Sequence, residues 1–318
     1  MRKILAVFAG LMAMASVATA QSYPERVVKI VVPYSAGGGT DILARLLAEE
    51  LSKKWDQSVV VENRPGGSTS IAATFVAGSE PDGYTVLLGT NTLVTNEALG
   101  RKFDYDLKTD LVPIGLVTEA ATILVASSDS KFQTLQEVID ALKGAAEPMY
   151  FGHSGIAGTP HLTGELLAQV TGMNLQQVAY KGEAPALVDA LAGHVDFALS
   201  SPTGALEQIR AGNLRAFGVA GSSRLTGAPD IPTIGETVAG FEMGGWFAFF
   251  APAGTSDDVV TSFNTTLGEV LADPAIVAKI ENFGMQVVPM SPADTRAKMD
   301  GYLGKVTGVV KAANIKVE

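Results

Sequence analysis

Short apolar runs of strand length alternate along the chain with stretches whose apolar residues recur at helical spacing. That alternation restricts the fold to an α/β architecture with mostly parallel sheets. Residues 27–32 read as a buried strand, and residues 41–53 as a helix with Ile42, Leu43, Leu46, Leu47 and Leu51 on one face. A strand at 59–62, a turn at Asn63-Arg64-Pro65-Gly66-Gly67, a helix at 71–77 and a strand at 85–88 complete a βαβαβ start.

Two β-rich stretches read as crossovers: residues 114–127, a long apolar run broken at Thr118-Glu119, and residues 244–251, which hold Trp246 and Phe247. Between them lies a second α/β set, with strands at 149–152, 177–180, 195–199 and 214–220 and helices at 162–171 and 185–192. Helices at 259–271 and 292–310 follow. The simplest arrangement has two α/β lobes joined by two crossing strands. Lobe 1 takes residues 21–120 and 246–318, and lobe 2 takes residues 121–245. Two consecutive domains split near residue 120, with no return, are the alternative.

The N-terminus bears on the compartment. Arg2 and Lys3 precede an apolar run at residues 4–17, and Ala18-Thr19-Ala20 supplies the small residues of a signal-peptidase site. Cleavage after Ala20 is therefore expected, with export to the periplasm. The run is shorter than the roughly 20 apolar residues of a membrane span. Cysteine is absent, which excludes a lipid-anchored N-terminal cysteine and a disulfide framework. Loss of residues 1–20 moves the formal net charge from −10 to −12, since the segment carries two cations and no acid. Such acidity, without a basic stripe, argues against nucleic acid. It leaves room for a small anion held by backbone N–H groups at a helix start.

Two loops have that character. Pro33-Tyr34-Ser35-Ala36-Gly37-Gly38-Gly39-Thr40-Asp41 joins a strand to a helix, and its glycines allow close backbone approach to a ligand. Phe151-Gly152-His153-Ser154-Gly155-Ile156-Ala157-Gly158-Thr159-Pro160-His161 does the same in the second half, with Pro160 suited to a first helical turn. Each alone is also an ordinary βα turn. Neither is a Walker loop or a complete dinucleotide fingerprint. Tyr180-Lys181-Gly182-Glu183-Ala184-Pro185 precedes a further helix, and Asn91 follows a strand. No cofactor is indicated. A hydrolase is the weaker alternative: Gly152-His153-Ser154-Gly155 lacks the final glycine of a nucleophile elbow, and His153, His161 and His194 show no zinc-ligand spacing.

Nine segments, in order, resemble the Bug-type extracytoplasmic solute receptors of tripartite tricarboxylate transporters over essentially the whole mature length. They are Tyr23-Pro24 with Ile30-Val31-Val32-Pro33; Gly37-Gly38-Gly39-Thr40-Asp41 with Ala44-Arg45; Val61-Glu62-Asn63-Arg64-Pro65-Gly66; and Pro81-Asp82-Gly83-Tyr84-Thr85. Pro113-Ile114-Gly115, His161-Leu162 with Gly164-Glu165, Tyr180-Lys181-Gly182 with Ala184-Pro185-Ala186, Asp230-Ile231-Pro232-Thr233 and Ala251-Pro252-Ala253-Gly254-Thr255 complete the set. The resemblance implies a two-lobed periplasmic binding protein (a Venus flytrap) with the crossovers as hinge. It implies a monomer that takes a small di-, tri- or aromatic carboxylate and delivers it to membrane subunits, or else senses it for signalling.

By position, the implied ligand contacts are Tyr34, Ser35, Ala36, Gly37, Gly38, Gly39, Thr40 and Asp41 in the first loop. Asn91, Ser154, Gly155, Ala157, Gly158, Thr159, His161, Tyr180, Lys181 and Ser200 complete them. Two departures stand out. Ser35-Ala36 replaces the family's usual prolines, and Ser200-Ser201 stands where an acidic residue is common. The missing acid leads to the expectation of a ligand without an amine.

Overall fold

The computed structural model describes residues 23–37, 39–180 and 183–315. The signal-peptide segment, Gly38 and Lys181 lie outside the described residues.

Strand β1 (Val28–Val32) is buried except at Lys29, as the middle of a sheet covered on both faces requires. It pairs in parallel with β2 (Val59–Asn63) and β3 (Thr85–Thr90). Helix α1 (Gly39–Trp55) buries Leu43, Leu47 and Leu51 against this sheet. Helices α2 (Ser70–Ala77) and α3 (Thr92–Ala98) follow β2 and β3. Then comes β4 (Leu111–Ala120).

The chain crosses to a second sheet at Ala121-Thr122. There it runs through β5 (Ile123–Ser127), α4 (Leu135–Leu142), β6 (Met149–His153), α5 (Thr159–Thr171) and β7 (Leu175–Ala179). Helix α6 (Glu183–Ala192), β8 (Phe197–Ser200), α7 (Pro202–Arg210) and β9 (Leu214–Val219) complete it. After α8 (Ile234–Thr237), strand β10 (Gly245–Pro252) rejoins the first sheet, antiparallel between β3 and β4. Helices α9 (Asp257–Leu271) and α10 (Pro274–Asn282), strand β11 (Met285–Val287) and helix α11 (Pro292–Ala312) end the chain.

The sheet orders are β11-β4-β10-β3-β1-β2 and β7-β6-β8-β5-β9. The mixed α/β, two-lobed plan is thus present, and each lobe carries one sheet. One core cluster joins Val31 and Phe250 of the first sheet to Phe151 and Phe197 of the second, and includes Met243, Trp246, Tyr302 and Val306. Helix α11 packs on α3 and β4 and also on α5, so the C-terminal segment touches both lobes.

The expected break at Thr118-Glu119 is displaced. Both residues stay inside β4, opposite Phe247 and Trp246 of β10, and the strands change at Ala121-Thr122 instead. The reason is electrostatic satisfaction. Glu119 is paired with Lys298 and accepts a hydrogen bond from Ser222 at 2.8 Å, so a buried carboxylate sits in a strand without interrupting it.

Candidate functional site

The two glycine loops face one cleft. Its volume is about 260 Å³, and Tyr34, Thr40, Thr90 and Thr92 line it from the first lobe. Ser154, Thr159, Pro160, Glu183 and Ser201 line it from the second. Its floor is Asn91, Ala120, Ala121, Thr122, Gly245, Trp246 and Phe247, where the two crossover strands meet.

In the first loop, Asp41 acts as an internal tie. Its carboxylate accepts the Gly37 N–H at 2.9 Å, Arg45 Nε at 3.0 Å and Asn63 Nδ2 at 2.9 Å. Arg45 above all, with the Gly37 and Asn63 bonds, lowers its pKa to about 2. Asn63 Nδ2 also donates to the Tyr34 carbonyl at 3.0 Å, which pins the loop to β2. The Tyr34 hydroxyl then sits 3.0 Å from Thr90 Oγ1 and 3.3 Å from Thr92 Oγ1, giving a patch of hydroxyls on the cleft wall. Gly37 takes φ +85°, a conformation a side chain would strain.

In the second loop, two stacked imidazoles lie beneath the backbone. The His153 and His161 rings are 4.5 Å apart at 18°. His161 Nδ1 accepts the Ala157 N–H at 2.9 Å, so its proton is on Nε2, which faces Glu165 Oε1 at 3.5 Å. His153 meets Gln177 Oε1 at 2.7 Å and the Gly155 carbonyl at 3.0 Å. Burial lowers the His153 pKa. The loop they support leads into α5, whose N-cap Gly158 offers no side chain and whose first turn holds Pro160. Pro160 has no N–H and the Leu162 N–H is held by the Gly158 carbonyl at 3.0 Å, so the Thr159 and His161 N–H groups are left without a helical acceptor, at a helix start where Thr159 and Pro160 line the cleft beside Ser154.

Asn91 connects the halves. Its Nδ2 donates to Thr159 Oγ1 at 3.0 Å and to Tyr302 Oη at 2.8 Å, and its Oδ1 accepts the Trp246 N–H at 3.4 Å. Gly245 lets it do so: a Cβ there would stand 3.1 Å from Asn91 Oδ1.

Of the expected contacts, Tyr34, Thr40, Asn91, Ser154 and Thr159 line the cleft. Ser35, Ala36, Gly37 and Gly39 are exposed outside its lining, and Gly155, Ala157 and Gly158 shape the loop behind it. His161 supports that loop from below. Tyr180 turns away and donates to Asp189 Oδ2 at 2.6 Å, with burial first and then this bond pushing its pKa up to about 12. Ser200 is buried and donates to Glu183. The sequence reading takes Thr90 and Thr92 only as polar neighbours of Asn91 in a segment that could line a cleft, and it does not single out Thr122 or Glu183. The position of Thr90 and Thr92 on either side of Asn91, at the end of a parallel strand, was the available signal.

A second cavity, of about 300 Å³, lies against the same strands and is lined by Glu119, Ser222, Glu242, Lys298 and Lys305. Lys298 is paired with Glu119 and approaches Glu242 at 3.8 Å, and Lys305 Nζ donates to the Glu242 carbonyl at 2.6 Å. Among the described residues no serine or threonine hydroxyl is hydrogen-bonded to a histidine ring.

Residues 43–315 match the family model described as "Tripartite tricarboxylate transporter family receptor". Protein BugT of Bordetella pertussis is 33% identical over 324 aligned residues, covering 100% of this chain and 99% of that protein. Among solved structures, the Rhodopseudomonas palustris protein Rpa4515 with adipate is 33% identical at a TM-score of 0.77, over 92% of this chain and 99% of the other. MatC of the same organism, with bound malate, is 28% identical at 0.70, over 91% and 100%. The chain belongs to the tripartite tricarboxylate transporter receptor family of two-lobed periplasmic solute-binding proteins.

Proposed function

We propose that the cleft captures a small carboxylate between the two lobes, and that the closed form delivers it to the membrane subunits of a tripartite tricarboxylate transporter. The observation that carries this reading is the uncapped start of α5. It opens into the cleft from one lobe, while Thr40 of the α1 first turn faces it from the other. Helix-start N–H groups favour an anion without a cationic side chain. The adipate and malate in related structures support the ligand class. Tyr34, Thr40, Asn91, Ser154 and Thr159 are the proposed contacts.

In this reading residues 21–120 with 246–318 and residues 121–245 move as lobes about the two crossover strands, which meet at Ala120–Thr122 and Gly245–Phe247. The mature protein begins at Gln21 and acts as a monomer in the periplasm. Thermal denaturation of the ligand-stripped mature protein against mono-, di- and tricarboxylates, aromatic acids and amino acids tests it. Saturation at a hundred times Kd adds about 2.7 kcal/mol, a measurable rise in Tm. A selective shift with one acid class supports the proposal, and a flat response across the panel refutes it.

A further inference from the structure

Glu183 is the one carboxylate in the cleft lining, and no lysine, arginine or histidine stands there to balance it among the described residues. It comes from the first turn of α6, yet its carboxylate sits at the start of a different helix, α7. Glu183 Oε1 accepts the Ser201 N–H at 2.7 Å, the Ser201 hydroxyl at 2.9 Å and the Ser200 hydroxyl. Gly204 leaves room for it, since a Cβ there would collide with the carboxylate. A helix start and three donors hold the carboxylate in place. Oε1 is therefore used up. Among the described residues Oε2 meets only the Ser201 hydroxyl, whose oxygen lies 3.1 Å from it and 2.9 Å from Oε1. A carboxylate oxygen accepts two hydrogen bonds, so Oε2 keeps an open acceptor position on a residue that lines the cleft.

We infer that Glu183 selects the solute: the preferred ligand places a carboxylate at the α5 start and a hydrogen-bond donor, an ammonium or a hydroxyl, against Glu183 Oε2. This rests on the carboxylate reading above and narrows it. The missing acid at Ser200-Ser201, which led to the expectation of an amine-free ligand, is supplied from another element. A plain diacid whose second carboxylate reaches this wall meets a fixed like charge and is disfavoured. The same diacid with a donor at C2 gains a charge-assisted bond instead.

Calorimetric titration of the stripped mature protein tests this with three matched series. These are succinate, malate and aspartate; glutarate, 2-hydroxyglutarate and glutamate; and adipate, 2-hydroxyadipate and 2-aminoadipate. Within at least one length a donor-bearing member is expected to bind about tenfold tighter than its parent, the worth of one good charge-assisted bond. Glu183→Gln keeps the shape and one acceptor but loses the charge. It is expected to collapse the ammonium preference and to leave part of any hydroxyl preference, which separates the two donors. Circular dichroism checks that the variant is folded, and if it is not, the wild-type ratios decide. Parent diacids that bind wild type as tightly as their substituted partners overturn the inference, as does a folded Glu183→Gln with unchanged ratios. No binding by any of the nine acids to either protein overturns the inference, and the carboxylate reading itself falls only when the monocarboxylates, tricarboxylates and aromatic acids of the thermal panel fail as well.

Discussion

Asn91→Ala removes the group that ties the lobes together at the cleft floor. The orientation of the Asn91 amide is fixed by chemistry: the Trp246 N–H can only donate, so Oδ1 faces it and Nδ2 faces the hydroxyls of Thr159 and Tyr302. Alanine orphans the Trp246 N–H and withdraws a donor from two hydroxyls. The Trp246 bond is long at 3.4 Å, which puts its loss at the low end of the roughly 1–3 kcal/mol for a buried unsatisfied group. The Tyr302 hydroxyl keeps Thr95 and Thr159 within reach, so its loss is partial. Together these give about 2 kcal/mol of lost stability. Urea unfolding of the ligand-free protein measures it.

The Thr159 bond adds a second effect, because it spans the two lobes. On the proposed lobe closure its net worth of about 0.5–1.5 kcal/mol counts toward the form in which the lobes meet, so carboxylate affinity is expected to fall by roughly two- to tenfold. Asn91→Asp separates the two effects. Both hydroxyls can reverse and donate to a carboxylate, which preserves much of the stability, while a new negative charge faces the bound anion. Asn91→Asp is therefore expected to be more stable than Asn91→Ala and to bind a carboxylate less well. Equal stability of Asn91→Ala and wild type refutes the accounting of partners. Equal affinity of the two variants refutes the placement of an anion beside Asn91.

Two further outcomes follow from packing and charge. Gly164→Ala sets a methyl against the fully buried ring of Phe151, and is expected to cost about 1–3 kcal/mol in urea unfolding; an unchanged midpoint would show that the ring yields freely. The pH dependence of Tm has two components. His153 has a folded pKa below its ordinary value of about 6.5, so the unfolded chain binds more protons in that window, and stability is lost as pH falls through it. Asp41, held at about 2 against 3.8 unfolded, contributes stability above the higher value that is lost as pH falls through the lower. His153→Gln should flatten the first fall and Asp41→Asn the second; profiles that parallel wild type would assign the falls to other groups.

The first lobe was legible because its signals are long and periodic. Leu43, Leu47 and Leu51 mark the buried face of α1, and β1 is an apolar run almost without interruption. Helix α4 carries an equally clear signal that the alternation argument passes over: Leu135, Val138, Ile139 and Leu142 on one face, with Thr134 as N-cap accepting the Glu137 N–H. The starts of α7 and α10 are marked as well, by Ser201-Pro202 and Asp273-Pro274. Strand β11 is only three residues long, too short for any period to show. Glu119 reads as a break because a lone acid in an apolar run usually is one; its partner Lys298 is 179 residues away. The same distance effect hides Glu183. Its position in the chain says helix start, and only the fold shows that its carboxylate belongs to the neighbouring helix and to the cleft.

An acidic protein that binds an anion through helix starts gains something a cationic side chain would not give. A lysine on one lobe would hold the carboxylate as firmly in the open form as in the closed one, and uniform affinity shifts no equilibrium between them. Here the donors are divided. Thr40 and the Tyr34, Thr90 and Thr92 hydroxyls belong to one sheet, while Ser154, Thr159 and the α5 start belong to the other. On the proposed closure a ligand reaches both sets only when the lobes approach, and the Asn91–Thr159 bond already spans them at the cleft floor. Affinity that accrues only on closure is what converts occupancy into a change of shape, and a change of shape is what a membrane partner can read. The net charge of −10 works in the same direction: it weakens non-specific capture of anions in the open form and leaves the local donors to decide.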